Sequence, residues 1–221
     1  SASYFAHIGF FNPYMPLWLK ELGFSITTIG LLTAVQAATR VLAPYGWGWL
    51  SDHTGERVKL LRFCAGAALV CAAGLLVPGG VVWIAVVLLF MFIHTSAMMP
   101  MSEAALAHLV STDQGFDSRR YGRVRLWGSL GFLVTVFAAG TWFELHGMQS
   151  FPAWSVASLV LLNLSVWWLP NRKETVHLEE ARPTVLPVLR QRSVQWFFAT
   201  VFFHVLSHIG IYVFFSLYLD E

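Results

Sequence analysis

The chain has 221 residues, 57% of them hydrophobic and only 12% charged, with a formal net charge of +2. A water-soluble domain carries roughly 25% charged residues, so this chain cannot coat a globule with polar groups, and it is too apolar to be disordered. The small net charge argues against nucleic acid as a partner. The abundance of Trp (10), Phe (18) and Tyr (6) fits a membrane protein with aromatic belts at the lipid interface.

A crossing takes about 20 apolar residues, and seven crossings fit the chain. They are predicted at Ser3–Leu19, Thr27–Leu50, Lys59–Val77, Val81–His108, Arg123–Phe143, Pro152–Leu169 and Val194–Leu219. In the first, Asn12-Pro13-Tyr14-Met15-Pro16 reads as an interruption, because proline removes helical hydrogen bonds. Broken helices beside a cavity are a transporter device, which makes Asn12 a candidate solute contact. In the third, Cys64 and Cys71 are seven residues apart, about 10 Å along a helix and too far for a disulfide. Pro78-Gly79-Gly80 is a turn. Trp18, Trp47, Trp49, Trp167 and Trp168 read as interfacial anchors.

The basic residues give an orientation. Twelve of the 14 flank the second–third, fourth–fifth and sixth–seventh connections, while the opposite face has only Lys20. The positive-inside rule then puts those connections and the N-terminus in the cytoplasm. Residues 1–170 are read as a six-helix bundle, 171–192 as a polar cytoplasmic linker, and 193–221 as the start of a second bundle. An internal similarity supports this division. His7-Ile8-Gly9 opens the first span, His208-Ile209-Gly210 opens the matching stretch of the seventh, and both stretches end on Glu, at Glu21 and Glu221. Parallel repeats of this kind are a transporter architecture.

Two stretches carry further information. Gly48-Trp49-Leu50-Ser51-Asp52-His53-Thr54-Gly55-Glu56-Arg57-Val58-Lys59 follows the second span. Gly48 would allow close helix approach, Gly55 a turn, Asp52 could accept hydrogen bonds from a helix N-terminus, and Arg57 would hold the cytoplasmic face. Tyr121-Gly122-Arg123-Val124-Arg125-Leu126-Trp127-Gly128-Ser129-Leu130-Gly131-Phe132 enters the fifth span, downstream of Met99-Pro100-Met101-Ser102-Glu103-Ala104 in the fourth.

The first stretch resembles the loop signature of the major facilitator superfamily, with His53 where that family usually has Arg or Lys. Together the stretches resemble the lactose permease-like branch, and within it the phenylpropionate permease group. The resemblance implies an all-α membrane fold, here the first six-helix half plus the seventh helix of a twelve-helix transporter. It implies that Glu103 and Arg125 match an acid–arginine pair at the solute site, that Phe132 stands where the sugar permease stacks a Trp on its substrate, and that Gly48, Asp52, Gly55 and Arg57 form a conformational motif. Arg40 matches an arginine of the phenylpropionate group.

An ionisable side chain inside a span costs at least about 2.5–3.5 kcal/mol on insertion scales and marks a functional position. Arg40 could hold a carboxylate. Glu103 and His94 are candidates for the coupling proton, and His7 reads as a satisfied core histidine. His204 and His208 have metal-ligand spacing but lack a third ligand, so neither a metal nor another cofactor is expected. No nucleophile–base set suggests an enzyme. The function expected is proton-coupled symport of a small organic solute, an aromatic or other carboxylate, across a bacterial-type inner membrane. Its partners would be solute, protons, lipids and a C-terminal half. A sugar or nucleoside symporter, or a non-transporting sensor of the same fold, are the alternatives.

Overall fold

The computed structural model describes residues 1–112, 115–171 and 185–219, with the side chains of 108, 109, 112, 115, 116, 185, 186 and 209–219 left aside. Residues 1–176 and 177–221 form two compact units.

In the first unit α1 (Ala2–Glu21), α2 (Ile26–Thr54), α3 (Arg57–Ala73) and α4 (Val81–Ser96) are followed by α5 (Met98–Val110), α6 (Ser118–His146) and α7 (Phe151–Trp167). Short 3-10 turns lie at Gly74–Leu76 and Met148–Ser150. Between α5 and α6, two-residue strands β1 (Ser111–Thr112) and β2 (Gly115–Phe116) pair antiparallel. The second unit contains α8 (Val185–Leu189) and α9 (Arg192–Leu219).

Helix ends follow local chemistry. Ser25 caps α2 by accepting from the Thr28 amide at 3.2 Å, and Asp117 caps α6 by accepting from the Arg120 amide at 3.0 Å. Gly55 ends α2 at φ 65°, a left-handed cap that glycine adopts without strain. The predicted fourth span is two helices, broken at Ala97. Pro100 has no amide to offer the Ser96 carbonyl and its ring crowds that carbonyl. The first span is the reverse case: α1 runs unbroken through Pro13 and Pro16, so the predicted interruption at Asn12–Pro16 is absent.

Among the described residues, five helical stretches are long and apolar enough to cross a membrane: 26–54, 57–76, 81–107, 118–146 and 148–167. α1 is more polar, and packing explains why that is tolerated. It sits against both α6 and α7 and touches α2, while α3 packs on α7 and α4, and α4 on α2. Phe10, Phe11, Met15 and Leu19 of α1 are buried, with Phe10 packed on Phe151 of α7 and Phe11 on both Phe151 and Phe92 of α4. Lipid tails are as apolar as these side chains, so helix association depends on close packing rather than on escape from water. Two contacts show this. A Cβ at Gly9 would lie 2.7 Å from the Phe132 carbonyl oxygen, so only glycine lets α1 lie on α6 there. On α3 the buried face is Cys64, Ala65, Ala68 and Ala72, and the Asn163 amide of α7 donates to the Ala65 carbonyl at 2.9 Å.

Three readings from sequence need correction. Trp18 is no interfacial anchor, since it is buried and stacks on Phe151 with ring centroids 5.0 Å apart. Trp47 is turned inward, and its indole N–H donates to the Ile93 carbonyl at 3.0 Å. Trp49, Trp167 and Trp168 are exposed. Gly48 brings no helix close among the described residues, for nothing lies within 4 Å of where its Cβ would be. Cys64 and Cys71 are both free thiols. Much of the stretch read as a linker, 172–184, lies outside the described residues, as do Asp220 and Glu221 at the end of the His208 repeat.

Candidate functional site

Tyr4, His7, Ile8, Phe11 and Asn12 recur at helical spacing and form one face of α1. That face, with Gln36 and Arg40 of α2 and Phe92, Thr95 and Ser96 of α4, lines a small open cavity. Gln36 and Arg40 are one turn apart and converge on a single atom. The Asn12 carbonyl oxygen accepts from Gln36 Nε2 at 3.0 Å and from Arg40 Nη2 at 3.2 Å. Two donors on that oxygen fix the amide orientation and leave the Asn12 NH2 as a donor. Arg40 has no carboxylate partner among the described residues. The lining thus presents a cation whose charge no protein acid balances.

His7 is 4% exposed, and its Nδ1 is 2.8 Å from Ser158 Oγ of α7. The core-histidine reading therefore describes that nitrogen, although the ring also borders the cavity.

A second polar group lies between α5 and α6. Arg125 Nη1 is 3.1 Å from Glu103 Oε1, and the two side chains are 34% and 25% exposed. Tyr121, one turn before Arg125, donates its hydroxyl to Glu103 Oε2 at 2.5 Å. The Arg125 guanidinium also lies 4.4 Å from the centre of the Phe5 ring, a cation–π contact. The two charges named from sequence are therefore paired with each other. Neither lines the cavity that holds Arg40.

His94 and Phe132 are not on the cavity lining. His94 packs between Trp47 and Phe63, with ring centroids 5.5 and 6.0 Å away, and its Nδ1 meets the Phe90 carbonyl at 2.7 Å. Phe132 presents its backbone to Gly9 and is partly exposed.

At the other motif Arg57 donates to Ser51 Oγ at 3.3 Å and lies 3.5 Å from Asp52. Lys59 pairs with Glu56 at 2.7 Å. Asp52 thus faces an arginine, and the α2–α3 turn is closed by Arg57 on one side and Gly55 on the other. At the same end of the bundle Arg62 donates to the Trp167 and Leu169 carbonyls at 3.3 and 2.9 Å, capping the end of α7.

Gln36 and Tyr121 escaped the sequence reading. Each is one turn from an arginine already singled out, so the i,i+4 neighbours of in-span charges were the available signal. His204 and His208 of α9 stack 4.5 Å apart, and among the described residues no group of three possible metal ligands occurs.

Comparison with known proteins gives the following. The model of the MFS_1 like family matches residues 3–221. The chain is 28% identical over 162 residues to a probable 3-phenylpropionic acid transporter of Escherichia coli (strain K12), covering 72% of this chain and 42% of that protein. It is 33% identical over 148 residues to a maltose permease of Geobacillus stearothermophilus, covering 64% of this chain and 35% of that one. It is 24% identical over 219 residues to an uncharacterized transporter of Bacillus subtilis (strain 168), covering 98% of this chain and 54% of that one. The chain thus spans about half the length of these relatives or less. No solved structure matches it.

Proposed function

The chain belongs to the MFS_1 like family, of the major facilitator superfamily, and on that premise we propose that the protein carries a small organic anion across a membrane by alternating access, coupled to protons. The observation that carries this reading is Arg40: a guanidinium on a membrane-span helix that donates to the Asn12 amide oxygen and has no carboxylate partner among the described residues. A solute carboxylate would supply a counter-charge with geometry that suits the guanidinium fork. The Asn12 NH2 adds a donor beside it. An aromatic acid suits a cavity that also offers Phe11 and Phe92, and one relative is named for 3-phenylpropionic acid.

Glu103, Arg125 and Tyr121 act in this reading as a latch between α5 and α6. Its partners change as two bundles rock about a midplane site, and Arg125 becomes available to the solute when Glu103 lets go. His94 and Phe132 support neighbouring helices in this conformation. Gly48, Asp52, Gly55 and Arg57 form the cytoplasmic turn that moves as a unit. Residues 171–192 are the cytoplasmic connection to a second bundle, of which 193–221 is the start. The N-terminus and the basic connections face the cytoplasm, in an inner membrane.

A second reading, sugar symport, is favoured by the amide pair Asn12–Gln36, which could bind hydroxyl groups, and by the relative named for maltose. Full-length protein in proteoliposomes decides between them. Labelled 3-phenylpropionate should accumulate with an inward proton gradient and compete with unlabelled aromatic acids. Accumulation of maltose in its place would move the assignment to sugars. Uptake that ignores the gradient would remove proton coupling.

A further inference from the structure

The two ring nitrogens of His7 differ in their contacts. The Ser158 hydroxyl donates its one proton to the Ser155 carbonyl at 2.8 Å, so toward His7 it can only accept. With that proton on the Ser155 carbonyl, the 2.8 Å contact is Nδ1–H to Ser158 Oγ, the tautomer in which both contacts are hydrogen bonds. In the neutral ring Nε2 is then a bare lone pair. No hydrogen bond reaches Nε2 among the described residues. The ring borders the cavity.

Arg40 and the Asn12 NH2 offer the cavity donors, whereas the Thr95 and Ser96 hydroxyls give their protons to backbone carbonyls and offer it only oxygen lone pairs. Around His7, α1 brings Tyr4 and α2 brings Arg40 as titratable or charged groups. α4 brings Phe92, Thr95 and Ser96, and α7 brings Ser158, none of them ionisable. α6 brings Tyr121 and Arg125 to α1, both engaged with Glu103. His7 also lies against Phe11 and Phe10, with ring centroids 5.1 and 5.7 Å away, and aromatic rings stabilise a nearby cation.

We propose that His7 carries the coupling proton on Nε2, in the same cavity in which Arg40 holds the solute carboxylate; this rests on the reading of that cavity as the solute site. Glu103 is already held by Arg125 and Tyr121, and His94 lies off the lining, so neither shares a chamber with the anion. A proton on His7 and the charge on Arg40 disfavour each other until an anion enters. Solute and proton then bind cooperatively, and each raises the affinity for the other by the same factor. The proton comes from water in the open cavity and forms one N–H bond at Nε2. It returns to water when the cavity opens to the other side.

The test uses full-length protein and 3-phenylpropionate as the probe. His7→Asn keeps an amide donor near the Nδ1 position for Ser158 but cannot take a proton. Gradient-driven accumulation should fall about tenfold or more, and the affinity for 3-phenylpropionate, which in wild type rises as pH falls, should become independent of pH. Accumulation equal to wild type overturns the proposal. A second measurement needs no variant: weakly buffered wild-type protein should take up about one proton per 3-phenylpropionate bound, and no uptake overturns it. Wild type that neither exchanges nor accumulates the probe defeats the transport reading and this proposal together. A His7→Asn protein that accumulates normally beside an active wild type defeats the His7 assignment alone.

Discussion

Arg40 and Arg125 are both guanidiniums on membrane-span helices, and they are neutralised in opposite ways. Arg125 has Glu103 at 3.1 Å, a tyrosine on the same carboxylate and an aromatic face at 4.4 Å. Arg40 donates to the Asn12 amide oxygen, which Gln36 also reaches, and it lines the cavity. A charge is more stable when compensated, and on the function proposed above Arg125 serves a conformational role while Arg40 receives a ligand.

The largest effect should come from Arg40. Arg40→Ala should weaken uptake of 3-phenylpropionate by about 30–100-fold, roughly 2–3 kcal/mol for a desolvated charge pair, while protein yield and melting temperature stay close to wild type. Initial rates in proteoliposomes measure it. If Arg40→Ala transports normally, the contrast between the two arginines is broken.

Next comes the helix contact that positions both groups. α1 carries Asn12 toward Arg40 and Phe5 toward Arg125, and Gly9 sets its distance from α6. Gly9→Ala should cost about 1–3 kcal/mol by overpacking, read as a lower melting temperature in detergent. Gly48→Ala, inside α2 with nothing within 4 Å, should cost nothing and should raise helix stability by up to about 1 kcal/mol.

The latch should show a smaller, paired effect. Arg125→Ala or Glu103→Ala should each lower stability by about 1–2 kcal/mol. A fully buried pair would lose more, but these side chains are a quarter to a third exposed and partly screened. The double variant should recover part of the loss, and a double-mutant cycle on chemical unfolding measures the coupling. Strict additivity would show that the ion pair does not hold α5 to α6.

The smallest effect belongs to the surface. Trp168→Ala, at 87% exposure, should leave packing within about 0.5 kcal/mol of wild type.

Much of this was readable in one dimension. Long apolar runs and the positions of lysine and arginine mark spans and connections, because lipid tolerates few other patterns. Arg40, Glu103 and Arg125 stand out for the same reason. The prolines misled in both directions. Pro13 and Pro16 lie in a helix whose neighbours on two sides hold it straight, while Pro100 breaks its span at Ala97. Trp18 and Trp47 look like interface anchors by composition, but their surroundings come from helices far away in the chain. Gln36 and Tyr121 carry no signal until the charge one turn away has a partner.

The sequence by itself determined that this chain belongs in a membrane, roughly where its helices run, which charges they bury and which superfamily it resembles. Each of these depends on short-range pattern: hydrophobic length, charge position or a contiguous motif. Only the packed helices show that Glu103 closes on Arg125, that Arg40 and Asn12 share one cavity lining, and that His7 borders it. Those outcomes depend on which faces of α1, α2, α4, α6 and α7 meet, and helix rotation and close approach are set by packing across the whole bundle.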